Sequence, residues 1–264
     1  MGVHSAHLLG GLAVTAPARG IDVSMWQHPG QAPIDWEAVA GSGITFVIIK
    51  ATQGTTWVNP WFEPDYSDAF AAGLLVGAYH YYTAGDDPAA QAKLFTDTLV
   101  GKRLDLHAWL DFEVPPVSNW TAAGWVNTFL EAARDARPGC GLYCDLTWWG
   151  ELSSANVRPP VVWLAAPSAT EAPAGATVWQ HGVGSVPGVP TEVDLDVLVG
   201  TRGVNIPTAP APKPVVRPLS SLRPEPEPEP AEPADGDGEA NACPPPAVSE
   251  PARPGPSEIV PPET

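Results

Sequence analysis

Short apolar runs rich in β-branched and aromatic residues alternate along this chain with stretches of helical spacing. The runs predict strands over 20–25, 45–50, 75–81, 107–113, 141–143, 161–165, 177–180 and 193–198. Helical spacing recurs over 65–72, where Gly73 supplies a stop, and over 87–100, where Pro88 suits the first turn. A third helix is expected over 118–136, with Ser118 as its N-cap. Strands that alternate with helices imply parallel pairing through helical crossovers, in an open α/β sheet or a barrel. No glycine-rich phosphate loop follows the first strand. The run G-I-D-V-S-M-W at 20–26 stands there instead, which counts against a dinucleotide-binding sheet.

Composition marks where the alternation ends. All 11 Trp, 5 Tyr and 6 Phe precede Gln180, whereas 207–264 holds no aromatic residue and 18 of the 33 Pro. A segment of that kind buries too little apolar surface to offset the entropy of ordering it. It is expected to be a disordered acidic tail, and its E-P-E-P-E-P run at 225–230 a stiff, charged spacer. Three parts follow: an N-terminal extension, 1–19; one folded domain, 20–206; and the tail, 207–264. The stretch 7–16 is mildly apolar, but no Lys or Arg precedes it and Gly10 and Gly11 interrupt it, so a signal peptide is not expected.

Charge narrows the partners. The chain carries a formal net charge of −17, and 1–206 alone holds 20 acidic against 9 basic residues. Such a domain repels nucleic acid and anionic membrane, both of which bind through Lys and Arg. No apolar run reaches the ~18 residues needed to span a bilayer. Cys140 and Cys144, in C-G-L-Y-C, read as small strand residues rather than a zinc site, and Cys243 stands alone. Neither a metal nor a cofactor is expected, and a monomer is.

The informative pattern is where polar side chains interrupt the strands. Asp22 follows Gly20-Ile21, Lys50 ends F-V-I-I-K, and His80 falls late in L-V-G-A-Y-H-Y. Asp111 and Glu113 end A-W-L-D-F-E, Gln180 ends T-V-W-Q, and Asp194 and Asp196 lie in V-D-L-D. Nearly every strand thus delivers a polar group near its C-terminal end, where a β/α barrel carries its active site. In an extended strand Asp111 and Glu113 point to one face, ~6.6 Å apart, with Phe112 on the other. Crowded carboxylates in a cleft raise one another's pKa, so one can stay protonated as an acid beside an anion. Glycoside hydrolysis needs that division. His80, flanked by tyrosines, also fits a hydrogen-bonded core histidine, and Lys50 fits an ion-pair partner. Trp26, Trp57, Trp61, Trp148, Trp149, Trp163 and Trp179 exceed what a core alone explains, and indole faces stack on sugar rings.

In order along the chain, these segments resemble the lysozymes of glycoside hydrolase family 25, the N-acetylmuramidases of phage endolysins and bacterial autolysins. The resemblance runs from Gly20 to about Gly200. It takes in G-I-D-V-S at 20–24, F-V-I-I-K-A-T at 46–52, A-A-G-L-L-V-G-A-Y-H at 71–80 and L-D-F-E at 110–113. It continues through G-L-Y at 141–143, V-W-L-A at 162–165, V-W-Q at 178–180 and V-P-G-V-P-T-E-V-D-L-D at 186–196. It implies an α/β fold, a single irregular β/α barrel, that cleaves the β-1,4 bond between N-acetylmuramic acid and N-acetylglucosamine in the peptidoglycan glycan strand. By position Glu113 resembles the catalytic acid, and Asp111 the nucleophile or the carboxylate assisting the N-acetyl group. Asp22 and Asp194 resemble the further acids of the groove. Lys50, Tyr79, His80, Tyr143, Trp163, Gln180 and Asp196 are the substrate-binding candidates.

The chain departs from the family in three places. Ala166 and Pro167 stand after W-L-A, where an aromatic is frequent, and His181 follows V-W-Q, where a Tyr is common. The tail occupies the place of a folded wall-binding module. A non-catalytic wall-binding or virion module on the same barrel is the competing reading, and it has no need of four retained acids. A chitinase pattern requires acids at 106 and 109, where Leu106 and Trp109 stand, and the histidines lack the H-x3-H spacing of a metal-dependent deacetylase.

Overall fold

The computed structural model describes residues 18–117, 120–135 and 139–200. The expected disorder of the tail and the signal-peptide question both fall outside these residues. The strands are β1 (Ala18–Val23), β2 (Phe46–Gln53), β3 (Trp57–Val58), β4 (Leu75–Tyr81), β5 (Ala108–Asp111), β6 (Cys140–Asp145), β7 (Val162–Ala165), β8 (Val178–Ser185) and β9 (Glu192–Leu198). The helices are α1 (Trp36–Gly41), α2 (Phe62–Ala71), α3 (Pro88–Thr98), α4 (Ala122–Ala132) and α5 (Leu146–Ser154).

Pairing runs β1-β2-β4-β5-β6-β7-β8-β9 and returns to β1, closing an eight-stranded barrel with β3 hung on the edge of β2. Strands β1 to β8 of that ring lie parallel, while β9 is antiparallel to both β8 and β1. Only a tight turn, 186–191, separates β8 from β9, too short for the crossover that a parallel strand requires. This is the irregularity of the barrel. The first strand begins at Ala18, two residues inside the expected N-terminal extension.

Helix starts follow capping chemistry. The Asp35, Asp87 and Asp145 carboxylates accept from the backbone N–H groups of Ala38, Ala90 and Trp148 and so begin α1, α3 and α5. Pro88 occupies the first turn of α3, and Gly73, with a φ of 86°, follows the end of α2, both as expected. The third expected helix, α4, starts later than predicted. Its cap is Thr121, which accepts from Gly124 N at 3.1 Å, not Ser118, which lies outside the described residues.

Two apolar layers hold the barrel. Phe46, Ile48, Leu106, Trp109, Trp163, Val178 and Leu198 fill its interior. Ile21, Val47, Ile49, Val76, Phe95, Leu110, Trp125, Phe129, Leu142 and Leu164 pack the strands against the helices. The interior accommodates its large rings by placing glycines opposite them. A Cβ at Gly20 would fall 2.1 Å from the Phe46 ring, and one at Gly141 would fall 2.6 Å from Trp109. Filling the lower barrel this way leaves its C-terminal mouth as the place for polar groups.

Candidate active site

Residues two apart on a strand share a face, so the inward positions climb in steps from the filled floor to the mouth. On β1 the step above Gly20 is Asp22, paired with Asp194 on β9; on β8 Gln180 pairs with Asp196. On β5 and β6 the steps above Trp109 and Gly141 are Asp111 and Tyr143, which pair with each other. The sequence pattern therefore converges in space.

Strand β5 ends at Asp111, two residues short of the predicted 113, yet the charge of Glu113 acts on Tyr143 as that of Asp111 does. Phe112 N donates to Tyr143 O at 3.0 Å, continuing the β6 pairing past the strand. The Phe112 ring is buried outside the barrel against Tyr82, Trp125 and Trp148, with centroids 4.8, 6.1 and 5.1 Å away. Trp148 Nε1 donates to the Glu113 carbonyl at 3.0 Å and fixes the backbone there. With Phe112 anchored outward, Asp111 and Glu113 both face Tyr143.

Tyr143 is the hub. Burial, followed by the charges of Glu113, Asp111, Asp22 and Asp194, pushes its phenol well above its ordinary 10, so it remains a hydrogen-bond donor. Its hydroxyl donates to Gln180 Oε1 at 2.9 Å, and Gln180 Nε2 donates to Asp22 Oδ2 at 2.8 Å. Asp111 and Asp22 are buried, whereas Glu113 and Asp194 are half-buried toward the opening. Below them Trp163 Nε1 donates to Asp196 Oδ1 at 2.8 Å, and the Trp163 ring lies 4.5 Å from that of Tyr143. Tyr79 sets its ring edge against Trp163. Trp163 and Tyr79 are thus the floor of the site.

Lys50 is buried at the top of β2, where its ammonium donates to Gln53 Oε1 at 2.7 Å. It lies 4.6 Å from the Tyr81 ring centroid and 5.2 Å from that of Trp57. Tyr81 is the partner of Asp111 across β4 and β5, which puts this cation–aromatic stack beside the acids. Sequence reading overlooked Tyr81 and Gln53. Tyr81 carried a signal, since it shares a strand face with Tyr79.

His80 goes elsewhere. Between Tyr79 and Tyr81 on β4, it points outward into the layer under α3 and α4 and is fully buried against Phe95 and Phe129. Its Nδ1 accepts from Thr52 Oγ1 at 2.7 Å and its Nε2 donates to Gln91 Oε1 at 2.9 Å. Burial chiefly, with the Lys50 charge adding to it, lowers its pKa to about 4, so it is a neutral core histidine. It has no access to the groove in which the sequence placed it.

The remaining tryptophans divide. Trp61 stacks on His28 at 3.8 Å, and Trp179 donates to Ala166 O while its ring meets His181. Trp26 stands 51 % exposed on the 3-10 turn that follows β1. That turn is held by a reciprocal Ser24–Gln27 capping box. Among the described residues no three His, Cys, Asp or Glu side chains converge to hold a metal ion, and no helix is long and apolar enough to cross a membrane. Cys140 and Cys144 are buried and free on β6, and burial pushes both thiols up.

A mouth that gathers four carboxyls around one phenol, over an aromatic floor, suits acid-assisted cleavage of a polar polymer. A family model described as Glycosyl hydrolases family 25 matches residues 21–189. Lysozyme M1 of Streptomyces globisporus is 32 % identical over 214 residues, covering 72 % of this chain and 71 % of its own. The autolytic lysozyme of Clostridium acetobutylicum is 30 % identical, covering 69 % of this chain, which spans 57 % of that protein. Among solved structures, the bacterial lysozyme of Streptomyces coelicolor superposes with a TM-score of 0.59 at 28 % identity, over 72 % of this chain and 98 % of its own.

Proposed function

The chain belongs to glycosyl hydrolase family 25, and from that premise we propose that it is a muramidase whose chemistry is divided among Glu113, Asp111, Asp22 and Asp194. The family makes it a glycoside hydrolase of the lysozyme type, acting on peptidoglycan in the bacterial cell wall. The observation that carries the division of roles is that register brings the acids to one mouth, Asp22 opposite Asp194 and Asp111 opposite Tyr143, with Asp22 and Asp111 buried and Glu113 and Asp194 half-buried.

Glu113, half-buried at the opening, is the group that reaches the bridging oxygen of the glycan strand. Its proton goes to the O4 of the leaving N-acetylglucosamine as the bond to C1 of N-acetylmuramic acid breaks. Asp111, deeper and anionic, supports the positive charge that develops on the muramic ring, by attack at C1 or by holding the N-acetyl group that attacks instead. Water then adds at C1 and returns its proton to Glu113, which restores the enzyme. Asp22 and Asp194 fix the pyranose from the β1–β9 side. Tyr143 and Gln180 hold the carboxylates in place, and Trp163 and Tyr79 keep water from below.

The assignment is tested by Glu113→Gln, which retains the side chain's size but cannot donate a proton as an acid. The melting temperature should stay put while kcat falls at least ~100-fold, the low end of general-acid contributions. Near-normal turnover would remove Glu113 from the role.

A further inference from the structure

We propose that Asp196 is a positioning residue that retains a proton, shares it with Asp22, and so sets the charge and aim of the Asp22 carboxylate. The proposal deepens the muramidase reading and depends on it only where activity is the readout.

Asp196 is 1 % exposed and Asp22 is 5 % exposed. Asp196 Oδ1 takes the Trp163 indole N–H, while Oδ2 meets no N–H or O–H donor among the described residues. Gly20 pairs with Asp196 and Asp22 with Asp194 across β1 and β9, so Asp22 stands diagonally beside Asp196 on the inward face. Gln180, the partner of Asp196 on β8, donates to the Asp22 carboxylate. Two carboxyl groups form a hydrogen bond only if one of them carries a proton. Asp22 already accepts the Gln180 amide, and the Tyr143 hydroxyl fixes that amide by donating to its oxygen. Asp196 has deeper burial and a single indole donor. The proton therefore sits on Asp196, and its O–H points to Asp22.

The groups around Asp196 agree. Asp22 faces it from β1, and Asp194 acts on it from β9 itself; both anions favour a neutral neighbour. Trp163 on β7 and Gln180 on β8 do not titrate, and Tyr143 on β6 stays protonated. Burial first, then Asp22, holds the Asp196 pKa well above 3.8. Five strands thus supply one chain of donors: Tyr143 to Gln180 to Asp22 from one side, and Trp163 to Asp196 to Asp22 from the other. At 1 % exposure Asp196 cannot touch sugar, which separates this role from the substrate contact expected from sequence.

The first readout needs no substrate. An infrared difference spectrum of wild type minus D196N at pH 7 should contain the C=O band of a protonated carboxylic acid, converting to carboxylate only as pH rises further. Absence of that band at pH 7 overturns the proposal whether or not the protein is a muramidase.

The second readout is thermal. The folded protein binds this proton more tightly than the unfolded chain, so wild type should lose stability relative to D196N as pH rises above 3.8. A Tm gap that moves the other way contradicts the proposal. In turnover, D196A should lose at least about tenfold in kcat with little change in KM, because it frees Asp22 to misalign. D196N, which can donate to Asp22 and accept from Trp163, should recover most of that loss. Wild-type kcat should decline at alkaline pH as Asp196 gives up its proton, and D196N should show no such decline. Equal defects in the two variants, with the wild-type pH profile kept, also refute it. Should D196A fail to fold, the infrared band and D196N still decide.

Discussion

His80 offers the sharpest thermodynamic test of how the strands are oriented. The free imidazole titrates near 6.5, but in the fold its pKa is about 4, because full burial penalises the charged form. Between those values the unfolded chain binds a proton that the native state refuses. Stability therefore falls as pH drops from 6.5 to about 4 and suffers no further loss from this group below that. The difference corresponds to about 3 kcal/mol. In His80→Gln the titration disappears, while the lost hydrogen bonds to Thr52 and Gln91 cost the same at every pH. Urea unfolding of both proteins at pH 7 and pH 4 isolates the effect, since Asp65 and Asp196 contribute equally to each. The stability advantage of wild type should shrink by about 3 kcal/mol on acidification. An advantage that does not change with pH would mean that His80 titrates normally, and so faces water in the groove.

Other expectations follow from the packing. Gly20→Ala forces a Cβ into the Phe46 ring and should cost about 1–3 kcal/mol, read as a lower urea midpoint with an unchanged slope. An unaltered midpoint would show that the barrel floor is looser than described. Asp65 is buried under α1, where it holds His28 Nε2 at 2.9 Å and the Trp36 indole at 3.2 Å. Asp65→Ala strands both groups and should cost about 3–5 kcal/mol, whereas a loss below 1 kcal/mol would mean that water replaces the carboxylate.

What the sequence disclosed, and what it hid, has a physical basis. The acids were legible because a charged group ending an apolar run has few structural reasons to be there, and Asp22, Asp111, Asp194 and Glu113 all met that description. The facing of β4 was not legible. Both of its sides are buried, so Tyr79, His80 and Tyr81 show no alternation between apolar and polar, and only the partners Thr52 and Gln91 reveal that His80 turns outward. Helix α1 is six residues long, too short to show a helical period, and α5 follows β6 directly at Asp145, so the sequence leaves Trp148 and Trp149 open between core packing and a sugar-stacking groove. Trp148 in fact braces Phe112. The reversal of β9 lay in the brevity of the turn before it, which alternation of elements alone does not weigh. The proton between Asp196 and Asp22 is a property of two strands brought side by side, and neither segment contains it.

The central claim is that this barrel cleaves glycan strands on the reducing side of N-acetylmuramic acid. Purified peptidoglycan incubated with the full chain, reduced with borohydride and analysed for its new ends by mass spectrometry tests it most directly. Reduced muramic acid should accumulate with wild type and be nearly absent with Glu113→Gln. Reduced glucosamine ends, or glycan strands left intact while the protein still binds them, would contradict it.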